Sequence, residues 1–120
     1  MDVIDLLLGA EPKKFPEKEF KVKSLSKETG GDVVFELRAL PFSSVAELRS
    51  RGETMPVYIV LAGTVAPNLK NQALLDKYGA ITPADLLEKM LLPGEIEDLS
   101  AEIEKLSGYK TNTIEEVKKK

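Results

Sequence analysis

The chain has 120 residues, with 17 basic against 20 acidic side chains, and it contains no His, Cys or Trp. Those zeros exclude a Ser-His-Asp triad, a thiolate nucleophile, imidazole metal ligands and any Cys-ligated zinc or iron–sulfur site. Catalysis would have to use paired carboxylates, a depressed lysine or an oxygen-ligated metal, and the length suits one domain. No apolar run approaches the ~20 residues of a membrane helix. Asp2 and Asp5 stand where a signal peptide needs cations. A cytosolic protein without a membrane partner is expected.

Asp2 is placed to cap a short helix carrying Val3, Ile4, Leu6, Leu7 and Leu8 and stopped by Gly9. A helix so short is marginal alone, so it must dock or fray. Pro12 to Glu19 reads as an extended connector. Phe20, Val22 and Ser24 then alternate with lysines. Beyond Gly30-Gly31, Val33, Phe35, Leu37 and Ala39 alternate with Val34, Glu36 and Arg38. Period-two alternation around a Gly-Gly turn predicts a β-hairpin whose apolar face helices must cover.

From Pro41 the pattern turns helical. Ser43 or Ser44 is a candidate cap for a helix through Val45, Leu48 and Arg51, closed by Gly52. The apolar run Val57–Val65 suits either a buried strand or a buried helix. Pro56 behind Thr54 favours the helix. Asn68 is a candidate cap for a helix with Leu69, Leu74, Leu75 and Tyr78, stopped by Gly79. Thr82-Pro83-Ala84-Asp85 is a strong start signal for a helix carrying Leu86, Leu87, Met90 and Leu91. Pro93-Gly94-Glu95 starts the last helix, whose Ile96, Leu99, Ile103 and Leu106 form one apolar stripe. These elements predict an α+β fold, mainly α-helical, with an N-terminal β-hairpin packed on a C-terminal helical bundle. The expected organisation is one domain over 1–109 and a flexible tail over 110–120.

No phosphate-binding glycine motif is present, and the turn explains Gly30-Gly31. Glu95, Asp98 and Glu102 share one flank of the last helix. With no second ligand-bearing element in sight, that flank reads as a solvated acidic face, or else a protein-binding one, so no metal or cofactor is expected. Residues 82–106 have a helix–turn–helix outline but carry seven acids against Lys89 and Lys105, which excludes phosphate neutralisation there and argues against a nucleic-acid partner. Lys13, Lys14, Lys18, Lys21, Lys23 and Lys27 read as protection of a strand edge, or as a docking surface for an acidic partner. Phe15, Phe42 and Tyr109 flank turns, at the core edge or as anchors for a partner. On chemistry alone the chain is a small non-enzymatic adaptor or regulatory protein-binding module.

Several segments in order resemble the XkdN-like family of phage tail assembly chaperones. They are Phe20-Lys21-Val22-Lys23-Ser24-Leu25 and Phe35-Glu36-Leu37-Arg38-Ala39-Leu40, then Pro67-Asn68-Leu69-Lys70-Asn71, Leu74-Leu75, Tyr78-Gly79 and Thr82-Pro83-Ala84-Asp85-Leu86. Leu91-Leu92-Pro93-Gly94-Glu95-Ile96, Leu99 and Leu106-Ser107-Gly108-Tyr109 complete the series. The resemblance implies a non-catalytic prophage or phage tail-module protein that binds the tape measure protein in the host cytoplasm and is absent from the mature virion. The tail tube protein is its second implied partner, and homo-oligomerisation is left open. Where some relatives have an acidic tail after this pattern, residues 110–120 are short and end in lysines. A helix-in-groove mechanism would use Leu87, Met90 and Leu91 as apolar contacts, with Glu95, Asp98 and Tyr109 beside them.

Overall fold

A computed structural model describes residues 2–118. Met1, Lys119 and Lys120 lie outside the described residues, so the expected loose tail is seen only as far as Lys118. Asp2 caps α1 (Val3–Gly9), its Oδ1 accepting from the Ile4 N–H at 3.4 Å. β1 (Glu17–Lys21) follows an extended connector and pairs antiparallel with β2 (Val34–Arg38), Phe20 facing Phe35. The pairing continues past the strand ends, because Ala39 N–H donates to Pro16 O and Val22 N–H to Val33 O.

The expected hairpin turn contains a helix. α2 (Lys23–Thr29) fills the link between the two strands and buries Leu25 and Ser26. Ser26 Oγ accepts from the Val33 N–H at 2.8 Å, which fixes the return into β2. Gly30 ends α2 with φ of 76°, a conformation open to glycine at no steric cost.

α3 (Phe42–Leu48) starts at Pro41, with neither Ser43 nor Ser44 at the cap. The backbone N–H of Ser44 bonds Pro41 O instead. A 3-10 segment (Arg49–Thr54) leads into α4 (Met55–Gly63), the helix expected from Pro56. The apolar run then changes character at its end: β3 (Thr64–Ala66) joins the other side of β2, with an irregular register at Glu36/Leu37. The sheet order is β1-β2-β3, with β1 an open edge studded with charge.

Asn71, one turn beyond the expected Asn68, caps α5 (Gln72–Tyr78) by accepting from Leu74 N–H at 2.9 Å. Asn68 Oδ1 accepts from Lys70 N–H in the preceding turn. α6 (Pro83–Met90) has Thr82 as its cap, and α7 (Pro93–Leu106) is the longest helix. The fold is thus α+β: β1 and β2 lie in the first third of the chain, β3 follows α4, and α5 to α7 come last.

α4 is apolar on nearly every face and lies against α3, α6 and α7, so it forms the centre of the helical layer. α7 touches both α4 and β2, and it closes the core over Phe35 and Leu37. Phe35, Leu37, Ile59, Val60, Leu86, Leu87 and Ile103 are the most deeply buried large side chains. At Gly63 the α4 backbone comes so close to α7 that a Cβ would stand 2.6 Å from Ile103 Cδ1. Ser107 Oγ accepts from the Leu40 N–H at 2.9 Å and donates to Ile103 O at 2.8 Å, tying the strand exit to the end of α7.

Candidate protein-binding surfaces

The six residues expected at a binding face do not form one face. Leu87 is 0% exposed and Leu91 5% exposed. Both side chains are buried, and Leu91 alone of the two lines a cleft. α6 packs against α4, α5 and α7, so its apolar residues in excess of one stripe are consumed by several neighbours of the same chain. Met90 and Tyr109 are half-buried against the core, and Asp98 is exposed.

Glu95 has an internal task. Its Oε2 accepts from Ser24 Oγ at 2.5 Å, and its Oε1 accepts from the Leu92 N–H at 2.7 Å. One carboxylate therefore satisfies an orphan donor at the start of α7 and ties that helix to α2. A cleft of about 230 Å³ runs beside it, where Glu95 and Asp98 meet Lys21 and Lys23. Leu91 instead reaches a second cleft of about 280 Å³, with Pro56, Val57, Pro93 and Ile96 as its apolar lining and Glu53, Glu88 and Glu97 around it. Glu95 and Asp98 thus line a different cleft from Leu91.

The start of α6 is held by a compact polar cluster. Thr82 Oγ1 accepts from the Asp85 N–H, and Asp85 Oδ2 accepts from the Ile81 N–H, both at 3.1 Å. Lys89 donates to Gly79 O at 2.8 Å and stands 3.3 Å from Asp85. The Ile81 N–H and then the Lys89 ammonium hold the Asp85 carboxyl below the ordinary carboxylate range. No group of three carboxylates able to hold a metal ion occurs among the described residues.

Sequence reasoning missed the most exposed apolar groups of this region. Ile81, before α6, is 89% exposed and Leu92, after it, 63%. Both sit outside the helical pattern, so periodicity gave no signal for them. Phe42 and Phe15 are also exposed, and the Arg49 guanidinium lies 5.5 Å from the Phe42 ring centre. Lys21, Lys23 and Lys27 line a third cleft of about 590 Å³ with Ser26, Gly30, Gly31 and Asp32. A fourth, of about 620 Å³, lies between α4, β3 and the start of α6.

An antiparallel sheet backed by a helical layer, with polar side chains spent on caps and ties and with apolar groups at the helix junctions, defines a small α+β domain with several open clefts. The model of the phage XkdN-like tail assembly chaperone family matches residues 4–119, and the chain belongs to that family. The family role is chaperoning, a non-enzymatic one, and it implies protein partners in tail assembly. The fold is similar to the crystal structure of the protein YqbN, with 19% identity and a TM-score of 0.69 over 92% of this chain and 99% of that one. No curated protein matches. No helix among the described residues is long and apolar enough to cross a membrane.

Proposed function

We propose that this chain binds the tape measure protein in the host cytoplasm and keeps it soluble while the tail tube assembles around it. It acts without catalysis and without a cofactor, and it leaves before the virion is finished. The tail tube protein is the second partner in this reading, brought to a tape measure already held.

The observation that carries the reading is the α6–α7 junction. There Leu92 is exposed, Met90 is half-buried, and the adjacent cleft has an apolar lining among Glu53, Glu88 and Glu97. An apolar floor with acidic walls suits a helix that has an apolar face and basic flanks. Asp98 and Tyr109 stand outside that cleft and are proposed as flanking contacts. Leu91 is part of the lining, and Leu87 is buried in the core.

Co-expression with the tape measure protein tests the proposal. The expected result is a larger soluble fraction of the tape measure and its recovery with the tagged chain. An insoluble tape measure that leaves the chain unbound would reject it.

A further inference from the structure

The sheet ends on one side at β1, and among the described residues nothing pairs with its outer edge. The strand is exposed along its length except at Phe20, which is half-buried. Its register with β2, and the bond from Val22 N–H to Val33 O, direct the backbone groups of Lys18 and Phe20 toward β2. Those of Glu17, Glu19 and Lys21 therefore point outward, as a row of free donors and acceptors.

Lysines within an edge strand usually keep it from pairing. Here Lys18 stands with its ammonium 5.7 Å from the Phe20 ring centre, and the other cations gather past the end of the strand. Lys21, Lys23 and Lys27 line the cleft of about 590 Å³, whose one carboxylate is Asp32. Asp32 lies 3.4 Å from the Lys21 ammonium with both side chains exposed, so that pair is weak. Lys23 and Lys27 have no ion-pair partner among the described residues.

Lys21 belongs to both features, so a strand laid along Glu17–Lys21 brings its next residues to Lys23 and Lys27. Its occupant is extended, to take the backbone ladder. It is uncharged where it passes Glu17 and Glu19, since acids there would meet like charge. It is acidic where it leaves Lys21. A nucleic acid offers no amide ladder, and this small group of lysines neutralises few phosphates. A second copy of β1, paired about Glu19, would set the two Glu19 carboxylates side by side.

We infer that β1 accepts an extended segment of a protein partner as an added strand, and that acidic residues at the end of that segment seat among Lys21, Lys23 and Lys27. This surface is basic where the α6–α7 cleft is acidic. It selects a different kind of segment, and it stands or falls separately from the tape measure reading.

Fluorescence anisotropy with labelled peptides on the full chain tests this. The probe is a Thr-Val repeat of about eight residues that ends in glutamates, long enough for a typical strand. A companion with the glutamates first covers the opposite strand direction. One of the two should bind, and binding should weaken as salt approaches about 1 M. Lys23→Glu with Lys27→Glu should weaken it at least about tenfold. Lys77→Glu with Lys118→Glu makes the same change of net charge on α5 and the tail, and should leave binding unchanged.

Glu19→Pro separates the ladder from the charge. It removes an outward N–H and a carboxylate while sparing the bonds to β2. Charge alone predicts tighter binding, whereas an added strand predicts its loss. Glu19→Gln, which keeps the amide, should bind at least as well as the native chain. An N-methylated peptide removes the same ladder without touching the fold, and it should not bind. Failure of both peptides to bind would overturn the inference, as would binding indifferent to N-methylation. An oligothymidylate bound as tightly as the peptide would overturn it too. Hydrogen-exchange protection of the Glu19 and Lys21 amides that rises with protein concentration, without peptide, would assign the edge to a second copy and equally overturn it.

Discussion

Ser24 and Glu95, 71 residues apart, share a 2.5 Å hydrogen bond that joins the first turn of α2 to the first turn of α7. The same carboxylate accepts from Leu92 N–H, so one side chain holds two elements in register. Glu95→Ala should destabilise the protein by about 1–3 kcal/mol, and Ser24→Ala by about 1 kcal/mol, since hydrogen bonds to a charged group are the stronger kind. Urea denaturation of both single variants and the double variant checks this. A coupling energy near zero would show that the pair contributes nothing jointly.

That bond also explains what could and could not be read from the sequence around it. The alternation Phe20, Val22, Ser24 suggested a strand running to Ser24, yet the strand ends at Lys21 and a helix begins at Lys23. Nothing local caps α2: Val22 is at its N-cap and makes no side-chain bond. The helix exists because Leu25 is buried in the core and Ser26 Oγ receives the Val33 N–H, both tertiary facts. The one legible sign is Thr29-Gly30, a pair that suits a helix stop as well as a hairpin turn. β3 was hidden for a related reason. Three residues show no alternation, and their partner is β2, far away in sequence. By contrast Thr82, Asp85 and the stripe Ile96, Leu99, Ile103 carry their structure locally, and the helices there begin and pack as the pattern predicts. The binding surface was the least legible part. Surplus leucines on α6 serve several packing neighbours, whereas Leu92 and Ile81 lie in the breaks that periodicity ignores.

Gly63 is the point of closest approach between α4 and α7. A Cβ there would lie 2.6 Å from Ile103 Cδ1 and 2.8 Å from Cγ2. Gly63→Ala gains helix propensity, but the clash with a fully buried isoleucine is larger. The expected loss is about 1–3 kcal/mol, read as a fall in melting temperature. Adding Ile103→Val removes Cδ1, so the double variant should lose less than the sum of the singles.

Ser100 Oγ is buried with no hydrogen-bond partner among the described residues, in the middle of α7. Ser100→Ala removes an unsatisfied hydroxyl and places a better helix former there. Stability should rise by about 1 kcal/mol. A denaturation midpoint that falls instead would mean that the hydroxyl has a partner.

Asp85 gives the fold an acid-sensitive contact. The Ile81 N–H and Lys89 hold its folded-state pKa below the unfolded one. Its stabilisation is therefore present above the ordinary carboxylate range and is lost as pH falls through the lowered folded value. Asp85→Asn should lower the melting temperature at neutral pH and flatten the decline that begins below about pH 4, where the carboxyl of the unfolded chain takes up its proton before the native one does. Melting curves across an acid series, native against variant, read this directly. Parallel curves separated by a constant offset would assign the acid response to other carboxylates.

Leu87 and Leu92 separate folding from partner holding. Leu87 is fully buried between α6 and its neighbours, and Leu87→Ala should cost about 2–5 kcal/mol through the cavity it leaves. Leu92 is exposed at the α6–α7 junction, where it is the N-cap residue of α7, and Leu92→Asp should change stability by no more than about 1 kcal/mol, the size of a cap effect. Under the proposed function only Leu92→Asp should reduce the soluble tape measure recovered per folded chaperone. Leu87→Ala should reduce recovery only in step with the fraction of chaperone that unfolds. Measuring both, with the folded fraction taken from circular dichroism, distinguishes a contact at the junction from a general loss of structure. Equal recovery with native chain and Leu92→Asp would move the binding surface away from this junction.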